Sequence, residues 1–123
     1  MQITKRSDGI LVERDEGITV IYHIFPEFEI HHNEVPTGTI QSWHHHNVIE
    51  ETLYMLTGEL EAHWKENDEY HEQILKVGDV VRVENTPHTF INSSPNLATF
   101  VVFRFVPDGK DKRQIIKNDK HLD

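Results

Sequence analysis

Residues 38–58 read GTIQSWHHHNVIEETLYMLTG, with three consecutive histidines followed by a pair of glutamates. His44 and His46 are two residues apart, so on a β-strand both imidazoles point to one face while His45 points to the other. Glu51 opens a second strand-like run. If the two runs pack in one small barrel, this stretch brings two imidazoles and a carboxylate together.

A second stretch, residues 78–92, reads GDVVRVENTPHTFIN and supplies one more histidine. His88 opens a third strand-like run directly after the turn residue Pro87. Imidazole and carboxylate groups are ligands for divalent transition metals. A set made of His44, His46, Glu51 and His88 would hold one such ion (Fe, Mn, Ni or Zn) and, in octahedral geometry, leave positions open for water, dioxygen or substrate.

The two stretches resemble the paired motifs of the cupin family. The first resembles Gly-x5-His-x-His-x(3–4)-Glu-x6-Gly, with Gly38, His44, His46, Glu51 and Gly58 in register. The second resembles Gly-x5-Pro-x-Gly-x2-His-x3-Asn at Gly78, His88 and Asn92. It departs in the middle, where Glu84-Asn85-Thr86 replaces Pro-x-Gly and the loop is about one residue shorter.

Short runs rich in β-branched and aromatic residues recur along the whole chain, separated by turn residues and without a helical period. This pattern predicts an all-β sandwich or barrel, and the resemblance implies the double-stranded β-helix (jelly-roll) barrel of the cupins. The predicted strands are residues 10–13, 18–25, 28–32, 39–46, 51–57, 59–65, 70–76, 80–83, 88–92 and 98–106.

The length of 123 residues predicts a single domain over residues 1–123. We expect a barrel core of about residues 10–106, an N-terminal arm at 1–9 and a charged C-terminal stretch at 107–123. The C-terminal stretch is interpreted as either a short packed helix or a mobile tail.

The composition excludes some classes of partner. A net charge of −9 argues against nucleic acid, because phosphate backbones attract clustered Lys and Arg. There is no long apolar run and no signal-peptide pattern, so we expect neither a membrane span nor secretion, and the absence of cysteine is in keeping with a cytoplasmic location. A homodimer is expected, since dimers are the commonest oligomers and cupins pair strands to cover sheet edges.

Four residues are candidates for the pocket wall. Leu53 and Phe90 share strand faces with Glu51 and His88, so they should lie near the metal. Arg104 lies in an apolar strand, where it either pairs with an acidic neighbour or lines the pocket and meets an anionic substrate, and Arg82 raises the same question. The pair His31-His32 is interpreted as a surface or interface feature. We assign no role to His23, His63, His71 and His121.

The resemblance implies a metal-dependent enzyme acting on a small organic molecule, carboxylated substrates being candidates. Cupin dioxygenases that cleave quercetin or β-diketones use this ligand set. Two alternatives stay open at this stage: a cupin lyase or isomerase acting on a sugar or uronate, with the metal as a Lewis acid, and a non-catalytic small-molecule-binding module.

Overall fold

Nine strands form two antiparallel sheets in the computed structural model, which describes residues 1–123. The six-stranded sheet has the order β1-β2-β3-β9-β4-β7, and the three-stranded sheet has the order β6-β5-β8. The strands are β1 (Ile10–Glu13), β2 (Thr19–Ile24), β3 (Phe28–Val35), β4 (Glu50–Thr57), β5 (Leu60–Glu66), β6 (Glu69–Leu75), β7 (Val80–Arg82), β8 (His88–Ile91) and β9 (Ala98–Phe105). The architecture is an all-β jelly-roll barrel, as predicted.

The hydrophobic core consists of thirteen buried residues, eleven from the strands of both sheets together with Ile18 and Val83. In β4, Leu53 and Met55 are buried while Tyr54 and Leu56 are exposed, so the strand has an inner and an outer face. In β9, Ala98, Phe100 and Val102 are buried, and the residues between them are less buried. Burying each large aliphatic or aromatic side chain contributes about 1.5–3 kcal/mol, so this alternation fixes the register of both strands.

Gly58, the last residue of the first motif, lies at the end of β4 in the left-handed region, with φ of 73°. A Cβ atom there would lie 2.6 Å from the carbonyl oxygen of Leu97 and 2.8 Å from the Cα of Ala98. Both atoms belong to the backbone and cannot move aside easily. The turn that starts β5 therefore requires glycine.

The prediction of a regular strand over residues 39–46 is wrong, because the structure has no regular strand there. The segment pairs with β8 through two isolated bridges, Ile40 with Ile91 and His44 with His88, and through a hydrogen bond from the backbone N–H of Gln41 to the carbonyl of Phe90. Between the two bridges, the three residues 41–43 lie opposite the two residues 89–90, so the segment has a β-bulge with one extra residue between Ile40 and His44. The bulge puts His44 opposite His88. The other nine predicted strands appear with small shifts in their ends.

The two termini contain short helices that bury little. A 3-10 turn covers Arg6–Asp8, and α1 covers Arg113–Asn118. Ile115 and Ile116 are 71% and 76% exposed, so α1 forms without being packed on the barrel. No helix is long and apolar enough to cross a membrane.

Candidate metal centre

Three histidines from two segments meet at one end of the barrel interior. His44 and His46 belong to the bulged segment, and His88 is the first residue of β8. The backbones of His44 and His88 exchange two hydrogen bonds, of 3.1 and 2.9 Å. One ring nitrogen from each of the three side chains lies within 4.8 Å of the other two. This spacing is compact enough for all three to bind a single ion.

The hydrogen bonds of the rings determine which nitrogens face inward. Nδ1 of His44 donates to the carbonyl of Ser42 at 2.8 Å, and Nδ1 of His88 donates to the carbonyl of Thr86 at 2.7 Å. A neutral imidazole that donates through Nδ1 presents a lone pair at Nε2, and metal-binding histidines in proteins are oriented in this way.

Two of the inward nitrogens have no partner. Nε2 of His46 and Nε2 of His88 are buried without a hydrogen bond. A buried polar atom left unpaired costs about 1–3 kcal/mol, and coordination to a metal would offset that cost. The donor set and its unpaired atoms therefore fit a divalent transition metal.

Glu51 lies beside the histidines and is held by an arginine. Its Oε1 is 3.3 Å from Nε2 of His46, without hydrogen-bond geometry. Arg104, directly opposite Glu51 on β9, donates Nε to the same oxygen at 2.8 Å and also donates Nη2 to it. Oε2 of Glu51 accepts no hydrogen bond from the protein. The carboxylate is therefore oriented through one oxygen, and the group of donor atoms within 4.8 Å of one another comes from the three histidines without Glu51.

The charge states of these groups suit cation binding. Burial lowers the pKa of His46 and of His88 below the ordinary histidine value, so both rings favour the neutral form. Burial alone would raise the pKa of Glu51, but the hydrogen bonds and charge of Arg104, with His46 and His44, bring that pKa below its usual range. Neutral imidazoles stand beside an ionised carboxylate.

The histidines open into a cavity of about 380 Å³. Its lining includes Glu51, Leu53, Phe90 and Arg104, as well as the three histidines. Leu53 and Phe90 are buried and give that part of the wall an apolar surface. Four of the predicted site residues thus share the cavity with the histidines.

Arg82 lies outside the histidine cavity. It pairs with Thr52 across β7 and β4, on the outer face of the sheet, where its Nη2 donates to Oε2 of Glu50 at 3.2 Å. It lines a second cavity of about 460 Å³ together with Trp64 and Val81. The β4–β7 register points its side chain away from Glu51, so Arg82 does not line the histidine cavity. Of the two alternatives that the sequence left open for Arg82, the structure has the pairing with an acidic neighbour.

His31 is a cavity residue that the sequence analysis interpreted as a surface or interface histidine. It is 4% exposed, and its Nε2 lies 3.3 Å from Oε1 of Glu29. The ring of Tyr22 packs edge-on against it, at 4.4 Å between centroids. Burial lowers the pKa of His31, which leaves the ring neutral near pH 7. Its alternation with the buried Asn33 and Val35 is the sequence signal that could have identified it.

Comparison with known proteins agrees with the geometry. The family described as "Cupin domain" matches residues 31–104, more than half of the chain. No curated protein matches the chain.

Solved structures share the fold at low identity. A structure of Fe(II)-HppE with the alternative substrate (S)-1-HPP has a TM-score of 0.69 and 20% identity, over 85% of this chain and 60% of that chain. A predicted oxalate decarboxylase from Thermotoga maritima has a TM-score of 0.73 and 16% identity, over 86% and 100%. Drosophila melanogaster CENP-C bound to CAL1 has a TM-score of 0.74 and 16% identity, over 83% and 80%. The chain spans 60% of the HppE chain, and these likenesses concern the fold alone. With the family match over both histidine segments, this chain belongs to the cupin family.

Proposed function

We propose that the chain is a metal-dependent cupin enzyme in which His44, His46, His88 and Glu51 hold one divalent transition metal beside a substrate cavity. The observation that carries the proposal is the pair of buried, unpaired Nε2 atoms of His46 and His88, which meet His44 within ligand distance. A structural metal site would be closed, whereas this one opens into a cavity large enough for a small organic molecule.

The leading reaction class is a dioxygenase-like oxidation with Fe, Ni or Mn in the site. Such a metal, when bound, supplies Lewis acidity and a place for dioxygen. The residues of the chain have separate tasks: Arg104 orients the Glu51 carboxylate, and Leu53 and Phe90 keep part of the cavity wall free of water. The Fe(II) form of HppE, a structural neighbour, supports iron as the first metal to test.

A lyase or isomerase is the second candidate, and His31 is the observation that favours it. The imidazole lines the cavity, has a lowered pKa, and directs Nε2 to the Glu29 carboxylate. When Nε2 carries the hydrogen, the lone pair of Nδ1 is free to accept a proton from a substrate in the cavity. Proton transfer of this kind, with the metal as a Lewis acid, does not consume dioxygen.

Elemental analysis tests the metal site. The purified protein should contain about one divalent transition metal per chain. The triple variant His44→Ala, His46→Ala, His88→Ala should contain almost none. His63→Ala is the matched control, because His63 is also a buried histidine but lies outside the cavity. Full metal content in the triple variant would contradict the proposal.

An oxygen electrode separates the two reaction classes. Fe(II)-loaded protein is incubated with a library of small carboxylates and sugar acids, and both substrate loss and oxygen are followed. Oxygen uptake that matches substrate loss supports the dioxygenase, while substrate loss without oxygen uptake supports the lyase or isomerase. Tight binding without turnover of any ligand would support the non-catalytic alternative.

A further inference from the structure

Arg14 is the cation of the histidine cavity that has no acidic partner. Arg104 in the same cavity pairs with Glu51, and Arg82 outside it pairs with Glu50. The guanidinium of Arg14 has a single hydrogen-bond partner, the neutral hydroxyl of Tyr22, at 2.8 Å from Nη2. Arg14 is exposed and is one of the residues that line the cavity. The chain has 21 acidic residues against 12 basic ones, so an arginine without an acid is a notable departure.

The position of Arg14 is fixed at both ends. Its backbone N–H donates to the carbonyl of Ile18 at 2.8 Å, and its carbonyl accepts from the N–H of Gly17 at 2.9 Å, in the turn between β1 and β2. At the other end the guanidinium donates to Tyr22 on β2. A side chain held in this way loses less conformational freedom when it binds a ligand.

Tyr22 adds a second free donor. Its oxygen accepts the hydrogen bond from Arg14, so its own hydroxyl hydrogen is not used in that contact and has no other partner in the protein. Arg14 and Tyr22 therefore present adjacent unused N–H and O–H groups in one cavity wall. Donors of this kind, one of them charged, match the two oxygens of a carboxylate.

We propose that Arg14 and Tyr22 form an anion subsite that binds the carboxylate of a substrate whose other end reaches the metal. The inference rests on the proposed function and names its substrate class. Glu16 lines the same cavity without an ion pair to Arg14, and its charge would repel a second negative group. The subsite thus favours a substrate end that carries one carboxylate and no second negative group.

The test uses two probes that differ in this charge and by one methyl group. Succinic acid monohydroxamate has a metal-binding hydroxamate at one end and a carboxylate at the other, and its methyl ester is the neutral counterpart. Calorimetry on Zn(II)-loaded protein should give an affinity for the acid roughly two- to five-fold higher than for the ester, as expected for a charged contact at an exposed site. The malonic and glutaric homologues measure the distance between the two ends.

The variants assign this preference to individual residues. Arg14→Gln should abolish the preference for the acid while the affinity for the ester and the zinc content stay at wild-type values. Tyr22→Phe should reduce the preference by roughly two- to three-fold, and Glu16→Gln should tighten binding of the acid alone. Arg6→Gln is the matched control, because Arg6 is an exposed arginine paired with Glu34 outside the cavity.

The outcomes separate the subsite from the metal site. An unchanged preference for the acid in Arg14→Gln, or no preference in the wild type for any homologue, would overturn the subsite while binding of the ester still supports the metal site. If zinc-loaded and metal-free protein bind the ester equally weakly, the proposed function itself fails, and the subsite fails with it.

Discussion

Glu50 and Glu51 are neighbours in β4 with almost the same surroundings, yet they face different sides of the barrel wall. Both are buried, and both accept a hydrogen bond from an arginine on an adjacent strand. Glu50 meets Arg82 and the backbone N–H of Glu84 on the outer face, whereas Glu51 meets Arg104 and approaches His46 in the cavity. Burial and ion pairing therefore do not distinguish a site carboxylate from a structural one. The two carboxylates are distinguished by the alternation of β4, which points neighbouring side chains to opposite faces.

The largest expected effect of this difference is on metal affinity. Glu51→Gln removes a negative charge next to the three histidines, so the affinity for a divalent metal should fall roughly ten-fold or more. Glu50→Gln should leave the affinity nearly unchanged, since Glu50 does not line the cavity. Competition with a metal indicator dye measures both constants. The reverse ranking would mean that β4 presents the other face to the metal.

The next largest effect concerns stability: Arg104, the partner of Glu51, should stabilise the folded protein more than Arg82, the partner of Glu50. Arg104→Met in metal-free protein leaves the Glu51 carboxylate in the cavity without its cation, which should lower the free energy of unfolding by about 2 kcal/mol. Arg82→Met should cost no more than about 1 kcal/mol, because Arg82 is 65% exposed and Glu50 keeps the Glu84 hydrogen bond. Urea unfolding with a chelator measures both, and equal losses would contradict the distinction. Added metal should restore part of the Arg104→Met loss.

The smallest predicted effect is a loss of stability at mildly acidic pH. The pKa of His31 is lowered in the folded state by burial, so below about pH 6.5 the unfolded chain binds a proton that the folded chain does not. The stability of the metal-free protein should therefore fall as pH drops from neutral to about 5.5, and the lowered pKa values of His46 and His88 act in the same direction.

Replacing His31 by Asn should flatten this pH dependence. Glu29, Tyr22, Arg104 and Glu51 are the titratable or charged groups around His31, and all four are retained in the variant. Urea unfolding at a series of pH values gives the slope. Stability that rises on acidification, or an identical slope in the variant, would show that His31 is not held neutral by its surroundings.

Much of the site was accessible from local sequence patterns. The spacing of His44, His46 and His88 with their flanking glycines predicted the family, and the register of the first motif selected Glu51 as the carboxylate. Most strands followed from runs of β-branched and aromatic residues bounded by turns, because these patterns are set within a few neighbouring residues.

The remaining features depend on pairings between distant segments. The bulge before His44 arises where the segment meets β8, and the partners of Arg104 and Arg82 follow from the order of β9, β4 and β7. The cavity position of His31 could be predicted only by knowing which face of β3 lines the cavity. The position of Arg14 depends on its contact with Tyr22. None of these pairings can be predicted from a few neighbouring residues of the sequence. The homodimer and the cytoplasmic location stay predictions.

Anomalous scattering from crystals grown with Fe(II), Ni(II) or Zn(II), recorded at the absorption edge of the metal, tests the central claim most directly. We expect one strong peak per chain, at about 2.0–2.3 Å from Nε2 of His44, His46 and His88, with a Glu51 oxygen within reach. A cavity without a peak, with metal only at exposed histidines such as His45 and His121, would contradict the account.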